Sequence, residues 1–412
     1  MKKAVVFNLG CKVNQYECDA LSAGLKAMGY YTTESLEPAD LYVINTCAVT
    51  AEAERKSRQI LARIKKLNEN AEIVVTGCAS QKNADYYIEK GVKYVSGVMN
   101  KNNILRALGF NNSETLIDIV KYEEPSFLPS ADRTRSYVKI QDGCDNFCSY
   151  CIIPYLRGRS RSRTIENAVR EIENLALNTE EIVITGVNLS QYGKDTGESL
   201  VGLIDALKDV NVRIRLGSFY VEGINRELLQ SLKALKRFCP HFHLSLQNGD
   251  NDVLRAMNRR YTTKDYLEKI ALIREYFEYA SITTDIIVGY PTETEENFIN
   301  TMNFAKEVGF SDIHIFPFSA REGTVAYKLD PIPPQIIKDR KHRLEEVRKE
   351  LHHNYLDLMK NVSQEVVFET KVDDCYNTGY SEYYVRFYVK TDEKVAIVKP
   401  IEIYKDGLKG EI

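Results

Sequence analysis

Residues 143–151 read GCDNFCSYC and follow directly on an apolar run at 137–140. Their three cysteines, in the spacing CxxxCxxC, lie on one short loop, where three thiolates can hold three corners of a 4Fe-4S cube. A structural zinc ion is the alternative, but zinc requires a fourth ligand and no histidine lies nearby. The spacing therefore predicts that Cys144, Cys148 and Cys151 bind an iron-sulfur cluster whose fourth iron has no cysteine ligand.

A cluster with an open iron suits a cofactor that must bind to that iron and be cleaved reductively. S-adenosylmethionine is the cofactor that couples such a cluster to radical chemistry. The loop at 143–151 therefore predicts S-adenosylmethionine as the second cofactor of this part of the chain.

Beyond the loop, apolar runs typical of strands alternate with helical patterns. The candidate strands are 137–140, 182–185, 212–216, 242–246, 282–288 and 313–316. Repeated βα units of this kind predict an open, partial (β/α)6 barrel, smaller than the eight-unit version. Its chemistry is expected at the carboxyl ends of the strands, where the cysteine loop begins.

The first 112 residues show another α/β pattern, in which β-branched runs alternate with amphipathic stretches. This pattern predicts a parallel sheet with helices on both faces. Cys11, Cys47 and Cys78 each follow the end of a successive strand, and such strand ends line one crevice in an open α/β sheet. Buried structural cysteines also favour strands, but three in succession predict a second cluster.

The chain divides further at changes of composition. Residues 1–112 form the predicted N-terminal domain, 113–132 a linker, 133–334 the barrel, 335–360 a charged connecting helix, and 361–412 a separate C-terminal unit. This last unit contains short strands separated by turn signals, which predict a small β-barrel. The predicted fold class is therefore α/β with an all-β unit at the end.

The composition is that of an ordinary globular protein. The 412 residues are 44% hydrophobic and carry a net charge of −3, which excludes a disordered tail and a generally basic nucleic-acid coat. No apolar run approaches the ~20 residues that span a bilayer, and the apolar start is too short for a signal peptide. We expect a cytoplasmic protein with no membrane partner, in which the nine cysteines favour metal binding over disulfides.

Four sequence strings together resemble the methylthiotransferases, a family of radical S-adenosylmethionine enzymes, over essentially the whole chain. The strings are GCKVNQYE around Cys11, NTCAVTAEAERKSRQ around Cys47, TGC ending at Cys78, and GCDNFCSYCIIPYLRGRSRSR from residue 143. The resemblance implies an auxiliary cluster in the N-terminal domain, a radical barrel and a terminal RNA-binding TRAM barrel. The first two strings look most like the branch that acts on N6-threonylcarbamoyladenosine at position 37 of tRNA.

The resemblance also implies the chemistry. One S-adenosylmethionine donates a methyl group to sulfur at the auxiliary cluster, and a second yields a 5′-deoxyadenosyl radical that removes hydrogen from adenine C2, where the methylthio group is installed. An aromatic C–H offers no acidic proton at neutral pH, so a strong hydrogen abstractor is useful. The implied partners are the tRNA anticodon stem-loop, a low-potential electron donor such as flavodoxin or ferredoxin, and a sulfur source.

Two alternatives stay open from the sequence. Other branches of the family carry out the same chemistry on N6-isopentenyladenosine in tRNA or on a ribosomal-protein aspartate. A non-catalytic iron-sulfur protein that binds RNA or senses redox state would need neither S-adenosylmethionine nor an open iron.

The resemblance places further residues around the cofactor. It puts an aromatic residue near the adenine and residues at the ends of the second, third and fourth barrel strands near the ribose and carboxylate. The matching positions are Tyr150, Gly186, Asn188, Ser218, Gln247 and Arg259. The chain departs from the family pattern at 247–249, where it has QNG instead of QSG, and at 291–294, where it has PTET instead of a GET string after the proline.

Arginines alternate immediately after the cysteine loop. If this segment is extended, four guanidinium groups project to one side and form a phosphate grip for RNA beside the reacting base. These residues are Arg157, Arg159, Arg161 and Arg163. The alternative is a solvated segment or one in which the arginines pair with carboxylates.

Two weaker patterns involve histidine and aromatic side chains. His241 and His243 alternate on a predicted strand, so both are expected to face the barrel interior, with a role in the core or near the cofactor rather than as metal ligands. Several aromatic residues of the C-terminal unit either stack on unpaired bases or pack in its core. They are Tyr380, Tyr383, Tyr384 and Phe387.

Overall fold

The structure is a computed structural model that describes residues 1–108, 121–130, 133–372 and 376–412. The α/β fold class predicted from the sequence is confirmed, with a parallel-sheet N-terminal domain, a βα-repeat domain and a C-terminal strand domain. Half of the predicted linker at 113–132, namely residues 113–120 and 131–132, lies outside the described residues, as does Cys375.

The N-terminal domain is a five-stranded parallel sheet in the order β2-β1-β3-β4-β5. Its strands are β1 Lys3–Asn8, β2 Tyr31–Thr33, β3 Leu41–Thr46, β4 Glu72–Gly77 and β5 Tyr94–Val95. Its helices are α1 Lys12–Ala27, α2 Ala51–Leu67, α3 Cys78–Lys82, α4 Ala84–Glu89 and α5 Asn102–Ala107. Helix α2 packs on one face of the sheet, and α1 and α5 pack on the other.

The central domain contains parallel strands that follow the chain order. They are β6 Arg135–Asp142, β8 Glu181–Gly186, β9 Arg213–Leu216, β10 Ser218–Phe219, β11 His241–Leu244, β12 Ser281–Val288 and β13 Asp312–Pro317, with β7 Arg161–Ser162 antiparallel to β6. Strand β9 pairs with β8 while β10 pairs with β11, so the stretch around Gly217 joins two four-stranded sheets. This is the open six-unit arrangement that the periodicity predicts.

Helices cover the outer face of these strands and enclose the largest hydrophobic core of the molecule. They are α7 Ile165–Ala176, α8 Leu200–Ala206, α9 Arg226–Ala234, α10 Asn251–Ala256, α11 Thr263–Tyr276 and α12 Glu295–Val308, whereas α6 Ile153–Arg157 packs against the N-terminal domain. Helix α11 begins with a capping box between Thr262 and Asp265, and α12 begins with one between Thr294 and Asn297. Such caps satisfy backbone N–H groups at the helix start and fix where each helix leaves its loop.

Helix α13, Pro334–Met359, leads to the C-terminal strands. The strands are β14 Gln364–Lys371, β15 Asn377–Ser381, β16 Arg386–Val389, β17 Val395–Tyr404 and β18 Gly407–Glu411. They pair in the order β14-β15-β16-β18-β17, and β17 pairs back with β14. Within the described residues, no helix combines the length and the apolar character needed to cross a membrane.

The C-terminal domain is attached to the amino ends of the barrel strands. Arg215 donates to the backbone oxygens of Ser381 and Glu382 at 3.0 and 3.1 Å. The Tyr384 ring stacks on His241, with centroids 4.4 Å apart and planes 2° apart. Tyr384 and the fully buried Phe387 therefore serve packing, and the base-stacking interpretation is wrong for these two residues.

Candidate active site

The cysteine loop leaves β6 through a backbone conformation that requires glycine. Gly143 has φ 71°, and a Cβ there would lie 2.0 Å from the backbone oxygen of Arg159. The backbone N–H of Cys144 donates to the oxygen of Gly158 at 3.1 Å. These contacts turn the chain sharply at the carboxyl end of the first barrel strand, where the chemistry of such a fold is expected.

Ser149, in the middle of the loop, is hydrogen-bonded to parts of the barrel that are distant in sequence. The Ser149 N–H donates to the Met257 oxygen at 3.0 Å, and the Ser149 oxygen accepts from the Ala326 N–H at 2.7 Å. Its hydroxyl lies 2.8 Å from the hydroxyl of Tyr290. The loop is thus held by segments that follow later barrel strands, which keeps its thiols in place.

The thiols of this loop form a buried group. Cys144 and Cys148 are 6% and 4% exposed, and Cys151 is partly buried. Burial, reinforced by the neighbouring Cys148 thiol and then by Cys144, raises the pKa of Cys151 to about 12. Three free thiols this close together, on one loop, have the donor chemistry that a cubane cluster requires from its protein.

Polar side chains approach two of these sulfur atoms. The Asn188 side-chain amide lies 3.8 Å from the Cys144 Sγ, and a guanidinium nitrogen of Arg259 lies 3.5 Å from the Cys148 Sγ. The Tyr220 hydroxyl is 3.7 Å from the same Cys148 Sγ. Hydrogen bonds to sulfur stabilise thiolate charge and tune a bound cluster.

Arg259 is held between aromatic rings. Its guanidinium lies 4.1 Å from the ring centroid of Tyr220 and 5.0 Å from that of Tyr261. It also donates to the Tyr261 hydroxyl at 3.0 Å and to the Ser245 backbone oxygen. Sequence reasoning missed both tyrosines, although Tyr220 directly follows β10 and Tyr261 lies two residues after Arg259.

The other predicted cofactor residues lie at the same end of the barrel. Gly186 ends β8, and Ser218 begins β10. Gln247 has φ 74° and exchanges backbone hydrogen bonds with Asp285 and Ile287 at 2.8 Å, so a backbone bridge to β12 fixes its position.

A cleft opens beside Asn188 and Tyr220. Its volume is about 840 Å³, and Asn146, Gln191 and Arg260 also line it. Tyr150 is partly buried and packs with Tyr290 and Met257. The cleft thus lies next to two of the polar groups that approach the sulfurs.

The N-terminal domain forms a second group of thiols. Cys11, Cys47 and Cys78 follow β1, β3 and β4, which are adjacent strands of the sheet. Burial, then the thiol of Cys78, raises the pKa of Cys47 to about 12, and Cys11 adds to this effect. The three cysteines thus follow the ends of neighbouring strands at one edge of the sheet.

Two local features position this second group. Gly77 has φ 102°, and a Cβ there would lie 2.4 Å from the Thr46 oxygen, so the chain turns tightly between β4 and Cys78. The Asn14 side-chain amide donates to the Asn45 side chain at 3.0 Å and to the Thr46 oxygen at 3.1 Å. These bonds tie the start of α1, which follows Cys11, to the end of β3.

A buried ionic network connects the two thiol groups. Arg157 donates to Glu17 of the N-terminal domain at 3.2 Å and to Asp142, directly before the cysteine loop, at 2.9 Å. Lys139 contacts the same two carboxylates at 3.2 and 3.1 Å. Burial raises the pKa of Cys78, and the neighbouring Arg157 guanidinium acts against that increase.

The predicted four-arginine phosphate grip is wrong for three of its members. Arg157, Arg161 and Arg163 are only 2–3% exposed and make buried hydrogen bonds. Arg163 pairs with Glu171 and Glu124, and Arg161 donates to the Arg157 oxygen at 2.8 Å. Arg159 alone among the four projects outward, with a side chain 74% exposed and an ion pair to Asp145 at 3.2 Å.

We expect Arg157→Met to lower the free energy of unfolding by about 3–5 kcal/mol, because Glu17 and Asp142 would stay buried without this partner. Arg159→Ala is the matched control and should change it by no more than about 0.5 kcal/mol, since Arg159 is exposed. Urea unfolding followed by circular dichroism measures both values. Equal stability of the two variants would contradict the buried network.

Two parts of the chain match known protein families. Residues 138–305 match the Radical SAM superfamily, and residues 3–99 match the family described as "Uncharacterized protein family UPF0004". The first match extends from barrel strand β6 to β12, and the second covers the sheet that carries Cys11, Cys47 and Cys78.

Several curated proteins are similar over nearly the whole chain. The threonylcarbamoyladenosine tRNA methylthiotransferase MtaB of Thermotoga maritima is 38% identical, across 94% of this chain and 91% of that protein. The protein of the same name from Bacillus subtilis is 33% identical, across 99% and 95%. The tRNA-2-methylthio-N(6)-dimethylallyladenosine synthase of Thermosipho melanesiensis is 33% identical, across 90% and 89%.

Solved structures share the fold at low sequence identity. The radical S-adenosylmethionine methyltransferase TsrM of Kitasatospora setae, solved with cobalamin and a [4Fe-4S] cluster, has a TM-score of 0.56 and 15% identity, covering 77% of this chain and 75% of that one. The cobalamin-dependent S-adenosylmethionine radical enzyme OxsB has a TM-score of 0.55 and 11% identity, covering 85% and 56%. These similarities concern the fold alone.

Proposed function

Because the chain belongs to the tRNA methylthiotransferase family of radical S-adenosylmethionine enzymes, we propose that it installs a methylthio group at C2 of N6-threonylcarbamoyladenosine-37 in tRNA. The observation that carries this proposal is the pair of free-thiol groups joined by the network of Glu17, Asp142 and Arg157. A reaction that needs both a radical and a sulfur donor requires two such centres near one substrate.

We assign the two sets of thiols to two 4Fe-4S clusters. Cys144, Cys148 and Cys151 ligate the cluster that also binds S-adenosylmethionine, and Cys11, Cys47 and Cys78 ligate the auxiliary cluster. When bound, these groups supply the electron that cleaves S-adenosylmethionine and the sulfur that is transferred. Free thiols at all eight described cysteines fit this use and a cytoplasmic protein.

The chain's own residues position and tune these centres. Arg259 and Tyr220 stabilise negative charge on the Cys148 sulfur, and Asn188 does so on Cys144. Tyr150 lies on the cysteine loop where the adenine of the cofactor is expected, and Gly186, Ser218 and Gln247 lie at the strand ends around it. Arg259 acts on the cluster ligand Cys148, because its guanidinium already donates hydrogen bonds to the Cys148 sulfur, the Tyr261 hydroxyl and the Ser245 backbone oxygen.

Each domain has a separate role in this proposal. We assign residues 1–112 to the auxiliary cluster, 133–334 to radical generation and 361–412 to a TRAM-like RNA-binding unit, with 113–132 and 335–360 as connections. The tRNA anticodon stem-loop is the substrate. A flavodoxin or ferredoxin serves as the low-potential electron donor, and a separate sulfur source restores the auxiliary cluster after each turnover.

The substrate is tested by nucleoside analysis. The anaerobically reconstituted protein, incubated with S-adenosylmethionine, a reductant and tRNA, should convert threonylcarbamoyladenosine to its 2-methylthio derivative, detected by mass spectrometry. Conversion of isopentenyladenosine instead would assign the chain to the dimethylallyladenosine branch that several relatives represent. Complete absence of 5′-deoxyadenosine would favour a non-catalytic iron-sulfur protein.

A further inference from the structure

Helix α1 packs against the barrel strands β6 and β8, and its first residue, Lys12, is partly buried. Lys12 follows Cys11 directly. Its ammonium lies within electrostatic reach of charged or titratable groups on each of the six principal barrel strands. These groups are Arg135, Glu181, Arg215, His241, Asp285 and His314. A cationic side chain of the N-terminal domain therefore lies close to charged groups of the barrel.

Lys12 has no ion-pair or hydrogen-bond partner in the part of the chain that the structure describes. The carboxylates close to its ammonium are already engaged. Glu181 pairs with Arg213 and Arg215 at 2.7 Å. Asp285 lies 3.2 Å from a ring nitrogen of His243 and 3.5 Å from one of His314. A partly buried ammonium without a partner is costly, so the space around Lys12 is suited to receive an anionic group.

His243, Asp285 and His314 could instead be interpreted as a metal site. Their ligand atoms all lie within 4.8 Å of one another, and two imidazoles with one carboxylate commonly bind a divalent metal. However, the Lys12 ammonium lies close enough to Asp285 and His314 to act on them electrostatically, and it repels a further cation there. The charge around the triad therefore favours an anion as the missing partner.

We propose that Lys12 binds the carboxylate of the threonyl group of the substrate and thereby selects threonylcarbamoyladenosine. This inference rests on the proposed function. Only N1 separates C2 of adenine from C6, which carries the N6 substituent. A base whose C2 faces the thiol group that includes Cys11 can therefore extend that substituent toward the neighbouring Lys12.

The same geometry excludes an apolar substituent. An isopentenyl group carries no charge, so its binding would cover the Lys12 ammonium and leave it without a partner. Sites built around a polar substrate group reject analogues that lack the group, because the buried polar atom of the site is then unpaired. Lys12 is thus a specificity-determining residue whose effect depends on the substrate carboxylate.

The test compares two synthetic anticodon stem-loops, one with threonylcarbamoyladenosine and one with its methyl ester, which removes only the charge. Binding to the reconstituted holoenzyme is measured by fluorescence anisotropy for the unsubstituted protein, Lys12→Met and Lys12→Arg. The unsubstituted protein should bind the acid about tenfold to a hundredfold more tightly than the ester, as expected for a charge-assisted hydrogen bond. Lys12→Met should bind both equally, and Lys12→Arg should recover part of the preference.

Iron content and 5′-deoxyadenosine release show whether each variant is folded and loaded. A Lys12→Met protein that keeps the preference for the acid overturns the inference. A preference that disappears with a chelator in the unsubstituted protein, but survives in Lys12→Met, assigns the site to a metal instead. If the unsubstituted protein methylthiolates acid and ester equally, the inference fails while the proposed function stands; if it methylthiolates neither, the proposed substrate fails.

Discussion

Cys148→Ala is expected to reduce the iron content of the reconstituted protein from about eight to about four atoms per chain and to abolish the release of 5′-deoxyadenosine. The Cys148 sulfur lies at the centre of the polar contacts around the cysteine loop, with Arg259 at 3.5 Å and Tyr220 at 3.7 Å. Without this thiol, Cys144 and Cys151 leave two corners of a cube without cysteine ligands. We therefore expect the loss of one whole cluster and not of one iron.

The matched control is Cys18→Ala. Cys18 is also buried, but it packs among apolar residues of the N-terminal core and belongs to neither group of thiols. This variant should keep its iron and its ability to cleave S-adenosylmethionine. Iron is measured colorimetrically and 5′-deoxyadenosine by chromatography under strong reductant. Cleavage by Cys148→Ala at the unsubstituted rate would refute the assignment of the loop.

The sequence was sufficient for the positions of both groups of thiols because each depends on local information. An apolar run shows where a strand ends, and the topology of parallel sheets places successive strand ends along one edge. Cys11, Cys47 and Cys78 follow three adjacent strands of one sheet, although more than 60 residues separate the first from the last. The strand Tyr31–Thr33 was missed because a three-residue edge strand carries no alternating pattern.

The arginine segment shows where local reasoning fails. Alternation of Arg157 to Arg163 suggested one extended strand, but Arg157 ends helix α6 and only Arg161 and Ser162 form a strand. The partner of Arg157 in the N-terminal domain, Glu17, lies 140 residues away in sequence. Burial of an arginine depends on such distant carboxylates, which no local pattern reveals.

The position of Lys12 beside the barrel was not predicted from the sequence for the same reason. Lys12 lies inside a cysteine motif and was considered only as part of that motif. Its position beside the barrel follows from the packing of α1 against β6 and β8, two elements of another domain. Interdomain packing thus buries three of the four arginines predicted to bind RNA, and it also places Lys12 where we propose that it binds the substrate.

Cys47→Ala is expected to separate the two halves of the reaction. The variant should still release 5′-deoxyadenosine, because Cys144, Cys148 and Cys151 are untouched, but it should form no methylthio product. Cys47 follows β3, the middle one of the three strands whose ends carry the second group of thiols. Its removal leaves Cys11 and Cys78 as the outer pair, which cannot supply three corners of a cube.

Two measurements on one sample decide the outcome for Cys47→Ala. Iron should again fall to about four atoms per chain, while 5′-deoxyadenosine forms without 2-methylthio nucleoside. Loss of both products would mean that the Arg157 network transmits the damage to the cysteine loop. Arg157 contacts Asp142 directly before that loop and lies close enough to Cys78 to affect its pKa. The iron remaining in the sample distinguishes these cases. A transmitted effect also removes the cluster of the cysteine loop, whereas separate roles leave that cluster in place.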